Sequence, residues 1–283
     1  GTYTTDKRML DAEPTATYAR RSGVLVYAAF ARVRFSDLMA NRARFFTGIV
    51  SYFIYVSVYY AIYRAVYAGG EAIGGLELGE ALTYVAVVWL LRSLYTNRLD
   101  RDITEEVRQG DIALALLRPV DYVRAKLAGA AGEVSFRALF FTLPTILVVV
   151  LVYPVSPPSS AMTGVVFLAS TILAFIVYSL LNLLVGLTAV FTEHTVGLQR
   201  AKNATVDLLG GVLIPLTFYP EWAQAVLAWL PFRAVAFSPA AIYLGRADPV
   251  PVLLVQLAWG FVLYGLGRWM WRRAANRLTV QGG

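Results

Sequence analysis

Long apolar runs dominate the chain, separated by short connections rich in charge, glycine or proline. Near 46–66, 80–97, 135–153, 163–191, 204–219 and 250–271 the runs approach the roughly 20 residues a helix needs to cross about 30 Å of hydrocarbon. The pattern predicts an all-α integral membrane protein with six transmembrane helices and both chain ends on one side.

Three stretches depart from that pattern. Between 22 and 45, Val24, Leu25, Tyr27, Phe30, Phe35, Leu38 and Met39 alternate with Arg32, Arg34, Asp37, Arg42 and Arg44 at helical spacing. Such a segment lies in a membrane interface, or packs as a cytosolic helix on protein. The connection 98–137 begins with a charged helix in which Arg98 and Asp102, then Arg101 and Glu105, stand four apart. Gly110 is placed to stop it, and the apolar run from Ile112 to Leu117 then needs a partner surface or the membrane to cover it. From Pro215 to Pro251 the apolar pattern breaks up. Pro220 opens one short helix, Pro231 stops it, and a second piece runs from Ser238-Pro239 to Gly245. Ten helical residues cover only about 15 Å, so this pair reads as re-entrant or interfacial helices between the fifth and sixth spans.

The charges orient the chain. Of 25 Lys and Arg, 21 fall before the first span, between the second and third, after the fourth, or at the end. The opposite connections carry Arg233 and Arg246, and the 67–79 loop has Glu71 and Glu77 but no base. By the positive-inside bias both termini are cytoplasmic, and the net charge of +7 reflects topology rather than nucleic-acid binding. The polar start, 1–21, lacks the apolar stretch of a cleavable signal and is expected to be a cytoplasmic tail.

Little chemistry is offered. There is no cysteine and one histidine, His194, and no phosphate-binding G-x-x-x-x-G-K-[ST] motif, H-E-x-x-H or G-x-S-x-G occurs. No catalytic residue and no metal site is expected. Charges inside spans are the exceptions, since Arg or Asp at a helix centre costs about 2.5 to 3.5 kcal/mol. Arg92 and Asp207 are therefore expected to line a polar entrance or to pair with a neighbouring helix. In the first span Tyr52, Tyr55, Tyr59 and Tyr63 form one stripe. The outer tyrosines suit an aromatic belt, whereas Tyr52 and Tyr55 lie deeper and would wall a path for an amphiphilic or cationic aromatic substrate, or pack on a helix.

Two stretches carry a resemblance. Arg108-Gln-Gly-Asp-Ile-Ala-Leu-Ala-Leu-Leu-Arg-Pro-Val-Asp-Tyr122 follows the second span. Gly210-Gly-Val-Leu-Ile-Pro-Leu-Thr-Phe-Tyr-Pro220 continues through Leu230-Pro-Phe to Ser238-Pro-Ala-Ala-Ile-Tyr-Leu-Gly245. Their order and position resemble the permease subunit of bacterial type-2 ABC (ABC-2) exporters, in the branch where two membrane chains accompany one ATPase. The resemblance implies a transmembrane domain over 22–283, with a connecting helix at 22–45, a cytoplasmic coupling helix and outer re-entrant helices. It also implies a translocation path shared with a second permease chain, paralogue or identical copy. ATP and Mg would be bound by a separate nucleotide-binding subunit, with no cofactor in this chain. By position, Asp100, Asp102, Glu105, Glu106, Gln109 and Asp111 would belong to the region docking on that ATPase, and substrate does not transfer. An ion-coupled secondary transporter or channel is the alternative, and it should show broken helices in both halves. A membrane enzyme is disfavoured by the missing nucleophile and metal patterns.

Overall fold

The computed structural model describes residues 16–40, 43–192 and 195–281. The expectations for the tail before Ala16 and for His194 lie outside the described residues. Among those described the chain is helical without strands, and five helical stretches are long and apolar enough to cross a membrane: Thr47–Val66, Leu78–Gln109, Tyr122–Val152, Ala161–Val190 and Pro249–Leu278. Their outward faces carry bare apolar side chains, with Leu151 76% and Phe261 75% exposed, as lipid-facing positions require.

Helix α1 (Ala16–Ala40) starts earlier than 22, inside the stretch read as tail, and ends before 45. Helix α2 (Ala43–Val66) is the first span. The second is α3 (Leu78–Tyr95), opened by a capping box in which Glu77 and Glu80 each satisfy the other's backbone N–H. Its residues from Ala81 to Trp89 are all buried, because a helix apolar on every side belongs inside a bundle. After a bend at 96–98 the chain continues as α4 (Leu99–Gln109), which ends at Gly110 with φ 78°, and then as the single turn of α5 (Ile112–Leu116).

The third span is α6 (Tyr122–Arg137) joined to α7 (Leu143–Val152) by one wide π-helical turn over Ala138–Thr142. Pro144 explains the join: proline has no N–H to give and its ring crowds the carbonyl four residues back. α8 (Ala161–Leu187), capped by the Ser160 side chain on the Thr163 N–H, is the fourth span, and the long α12 (Pro249–Gln281) packs along it.

The fifth expected span differs. Instead of a helix over 204–219 the chain forms α9 (Thr195–Leu209), then turns through Gly210-Gly211 into short 3-10 pieces. Gly211 has φ 85°, a left-handed conformation glycine adopts freely, and its carbonyl accepts the Tyr84 hydroxyl at 2.5 Å. α9 is thus too short and too polar to stand with the five long apolar helices. Beyond it α10 (Glu221–Leu227) and α11 (Phe237–Tyr243) fall where the prolines suggest, and α11 packs into α8.

Two glycines set close approaches. A Cβ on Gly132 would stand 2.0 Å from the Ala31 carbonyl oxygen, so α1 lies directly on the α6 backbone. At Gly186 a Cβ would come 2.9 Å from that of Ile103, which seats α4 on the lower end of α8.

Candidate functional site

The six residues expected at the coupling region divide into two groups. Three are committed inside the molecule. Asp100 is buried and accepts the Lys202 ammonium of α9 at 2.8 Å. Asp102 takes Arg34 of α1 at 2.6 Å instead of the Arg98 four residues before it. Glu106 accepts the Tyr122 hydroxyl at 3.0 Å and pairs with Lys126, both on α6. The other three, Glu105, Gln109 and Asp111, are exposed, and Gln109 donates to Glu105 at 2.6 Å along the helix. α4 therefore has a fixed side, rooted in the bundle, and a free side that leads to the tip at α5, where Ile112 is itself buried. At the tip Leu114 and Leu117 are also open to solvent, Leu117 at 80%, and the neighbouring Arg108 and Arg118 in the sequence are exposed as well.

Arg34 is the hub of the root. Its guanidinium reaches Asp102, Glu133 of α6 at 3.0 Å and Asp37 at 3.9 Å, tying α1, α4 and α6 at one point. Burial works against the cation, but the three carboxylates outweigh it and hold Arg34 above the ordinary arginine value. A cavity of about 500 Å³ opens beside this hub between α1, the α4–α5 turn and α6, with Phe30, Leu99 and Tyr122 in its wall.

Within the bundle Arg92 and Asp207 pair with each other, joining α3 to α9. Each stays largely enclosed, at 18% side-chain exposure, so neither is left as a lone buried charge. Below them runs a polar chain that sequence reasoning missed. Lys202 bonds Asn182 as well as Asp100, Asn182 donates to Asn97 Oδ1 at 2.9 Å, and Asn97 donates to Ser179 at 3.0 Å. Gln199 donates to Thr104 at 3.0 Å. Lys202 was countable only as one of the basic residues after the fourth span; its distance from Asp100 in sequence hides the pairing.

The tyrosine stripe of α2 meets α3 at Trp89. Tyr55 stacks on the indole at 4.8 Å with the rings nearly parallel, Tyr59 leans on it at 5.3 Å, and Tyr52 meets Trp89 and Phe141 edge-on at 6.1 and 5.3 Å. Packing on a neighbouring helix is thus part of the stripe's role, yet Tyr55 remains 47% exposed. Among the described residues no group of His, Asp or Glu could hold a metal ion.

Five apolar membrane-length stretches, one of them ending in a charged helix seated on α8, and α1 bound to that helix's root define a multi-pass helical membrane protein. The family described as ABC-2 family transporter protein matches residues 53–282, and the chain belongs to it. It is accordingly the membrane component of an ABC transporter, a class that works with an ATPase partner and generally lacks an ATPase site of its own. Comparison with curated proteins returns no match.

Proposed function

We propose that this chain is the permease subunit of an ATP-driven exporter in the bacterial inner membrane, with both termini cytoplasmic, and that its ATPase docks on the free tip formed by α4 and α5. The observation that carries this reading is the division of α4: its root is locked to α1, α6 and α9 through Asp102, Glu106 and Asp100, while Glu105, Gln109, Asp111, Leu114 and Leu117 are left exposed by the described residues. A mixed apolar and charged patch on a braced helix suits a docking surface that must also bear load.

ATP and Mg are held by the partner subunit, and no cofactor is assigned to this chain. Movement of the docked ATPase acts on the tip. The root passes it to the connecting helix through Arg34 and to α9 through Lys202, and α9 carries it to Asp207 and Arg92. With α9 and the turns after it as the fifth of six crossings, and α10 and α11 as outer re-entrant helices, Tyr52, Tyr55, Arg92 and Asp207 line the path shared with a second permease chain. The half-exposed Tyr55 on the sparsely buried α2 supports that assignment. A ligand shifts the two access states only by binding them differently.

Co-purification tests the docking surface. An ATPase subunit should travel with the wild-type chain in mild detergent, and Leu114→Asp with Leu117→Asp should release it while the chain stays folded. Retention of the ATPase by that variant, or solute movement under an ion gradient with no ATPase present, would sink the reading.

A further inference from the structure

We infer that the cytoplasmic half of the bundle carries a binding site for one anionic phospholipid, with an acyl chain in the groove between α8 and α12 and the phosphate on Arg124 and Arg268. The groove has a cavity volume of about 210 Å³ and is walled by Leu173, Ile176 and Leu180 of α8 and by Leu257, Phe261 and Tyr264 of α12, with Leu127 of α6 at its base. Gly260 forms its floor, where a Cβ would meet nothing within 4 Å. From Leu257 to Tyr264 it runs about 10 Å along the helix, enough for the upper half of an acyl chain.

Charge at one end alone says what fills it. Tyr264 belongs both to the groove and to the polar cluster at its mouth. Its hydroxyl accepts Arg124 Nε at 3.2 Å, and the Arg268 guanidinium stands 6.0 Å from its ring centre. Arg268 also pairs with Asp121, so one of the two cations is neutralised and the mouth keeps a net positive charge, with exposed Arg272 one turn further along α12. The far end at Gln256 has no such charge, because that amide is spent on Ser170 and the Ala234 carbonyl. A hydrocarbon slot ending in one arginine in the first turn of α6 and another on α12 matches a lipid with an anionic headgroup and not a neutral one. The inference rests on the orientation proposed above, and it stands apart from where the ATPase docks.

Native mass spectrometry of the full chain in mild detergent, titrated with phosphatidylglycerol or phosphatidylcholine of identical acyl chains, tests the site. The wild type should hold phosphatidylglycerol about fivefold more tightly, the effect of one net arginine at an anionic surface. Arg124→Gln with Arg268→Gln should erase that preference, and Gly260→Trp, which fills the floor without changing charge, should lower occupancy by both lipids. A double variant that keeps the preference overturns the proposal. Should the double variant fail to fold, Gly260→Trp decides alone, and unchanged phosphatidylglycerol occupancy in it is equally fatal.

Discussion

Lys202 of α9 and Asp100 at the root of α4 meet at 2.8 Å, both buried, and with the Gln199 to Thr104 bond this contact joins the charged helix to the short helix that carries Asp207. Taking a pair of charges out of water is costly, and the pair offsets that cost only while both members and their other bonds remain. Asp100→Asn or Lys202→Met alone should therefore destabilise the chain by about 3 to 5 kcal/mol, and the two together by clearly less than the sum. Thermal unfolding of the four proteins in one detergent checks this. Additive losses would mean that the contact is not an energetic pair.

Arg34 should matter to coupling more than to assembly. Arg34→Gln keeps the exposed tip of α4 intact but detaches α1 from Asp102 and Glu133, so the ATPase should still co-purify. Transport per ATP should fall roughly twofold to thirtyfold, the range over which residues on a coupling route act. Reconstituted vesicles in which both transport and ATP turnover are measured provide the readout, and an unchanged ratio would remove Arg34 from the route.

Where α1 rests on α6, volume is the sensitive quantity. Gly132→Ala puts a methyl 2.0 Å from the Ala31 carbonyl oxygen and should cost about 1 to 3 kcal/mol by forcing the helices apart. Gly129→Ala, where a Cβ meets nothing within 4 Å, should leave stability unchanged or slightly raised. Comparing the two melting temperatures separates close packing from helix propensity.

The buried hydrogen bond from Tyr84 to the Gly211 carbonyl holds the turn that ends α9. Tyr84→Phe should cost about 1 kcal/mol or somewhat more, since the carbonyl is left unpaired. Gly211→Ala should be worse, because a side chain at φ 85° is strained and its Cβ would meet the tyrosine oxygen at 2.6 Å. Urea titration of the pair gives the order.

The absence of cysteine allows a clean test of orientation. Ser159→Cys in the loop before α8 should react in intact cells with a membrane-impermeant maleimide, and Gln109→Cys should react only after permeabilisation. The reverse pattern would invert the topology and remove the docking surface from the cytosol.

What could be read from the chain was governed by range. The long apolar runs, Gly110 as a helix stop, and the prolines that frame α10 and α11 are local signals, and helices follow them. Arg92 and Asp207 are each legible as misplaced charges, but that each answers the other depends on α3 and α9 being neighbours, which no spacing along the sequence states. The expected Arg98 and Asp102 pair failed for the complementary reason. Helical spacing supplies a nearby partner worth a few tenths of a kcal/mol, and a half-buried arginine from α1 offers Asp102 more. Span 204–219 misled because Gly210 through Leu216 is as apolar as a helix interior, while Gly211 and Pro215 dictate a turn.

The wide turn at Ala138–Thr142 gives the third span an articulation. Below it the rod is clamped against α1 through Gly132 and Glu133, and above it Leu147, Val150 and Leu151 are bare while Thr145 and Val149 stay buried on the side that meets α2 and α3. A rod interrupted in this way has two segments with different allegiances, so a tug on the lower one is absorbed at the joint and the upper one is free to keep its seat in the bilayer.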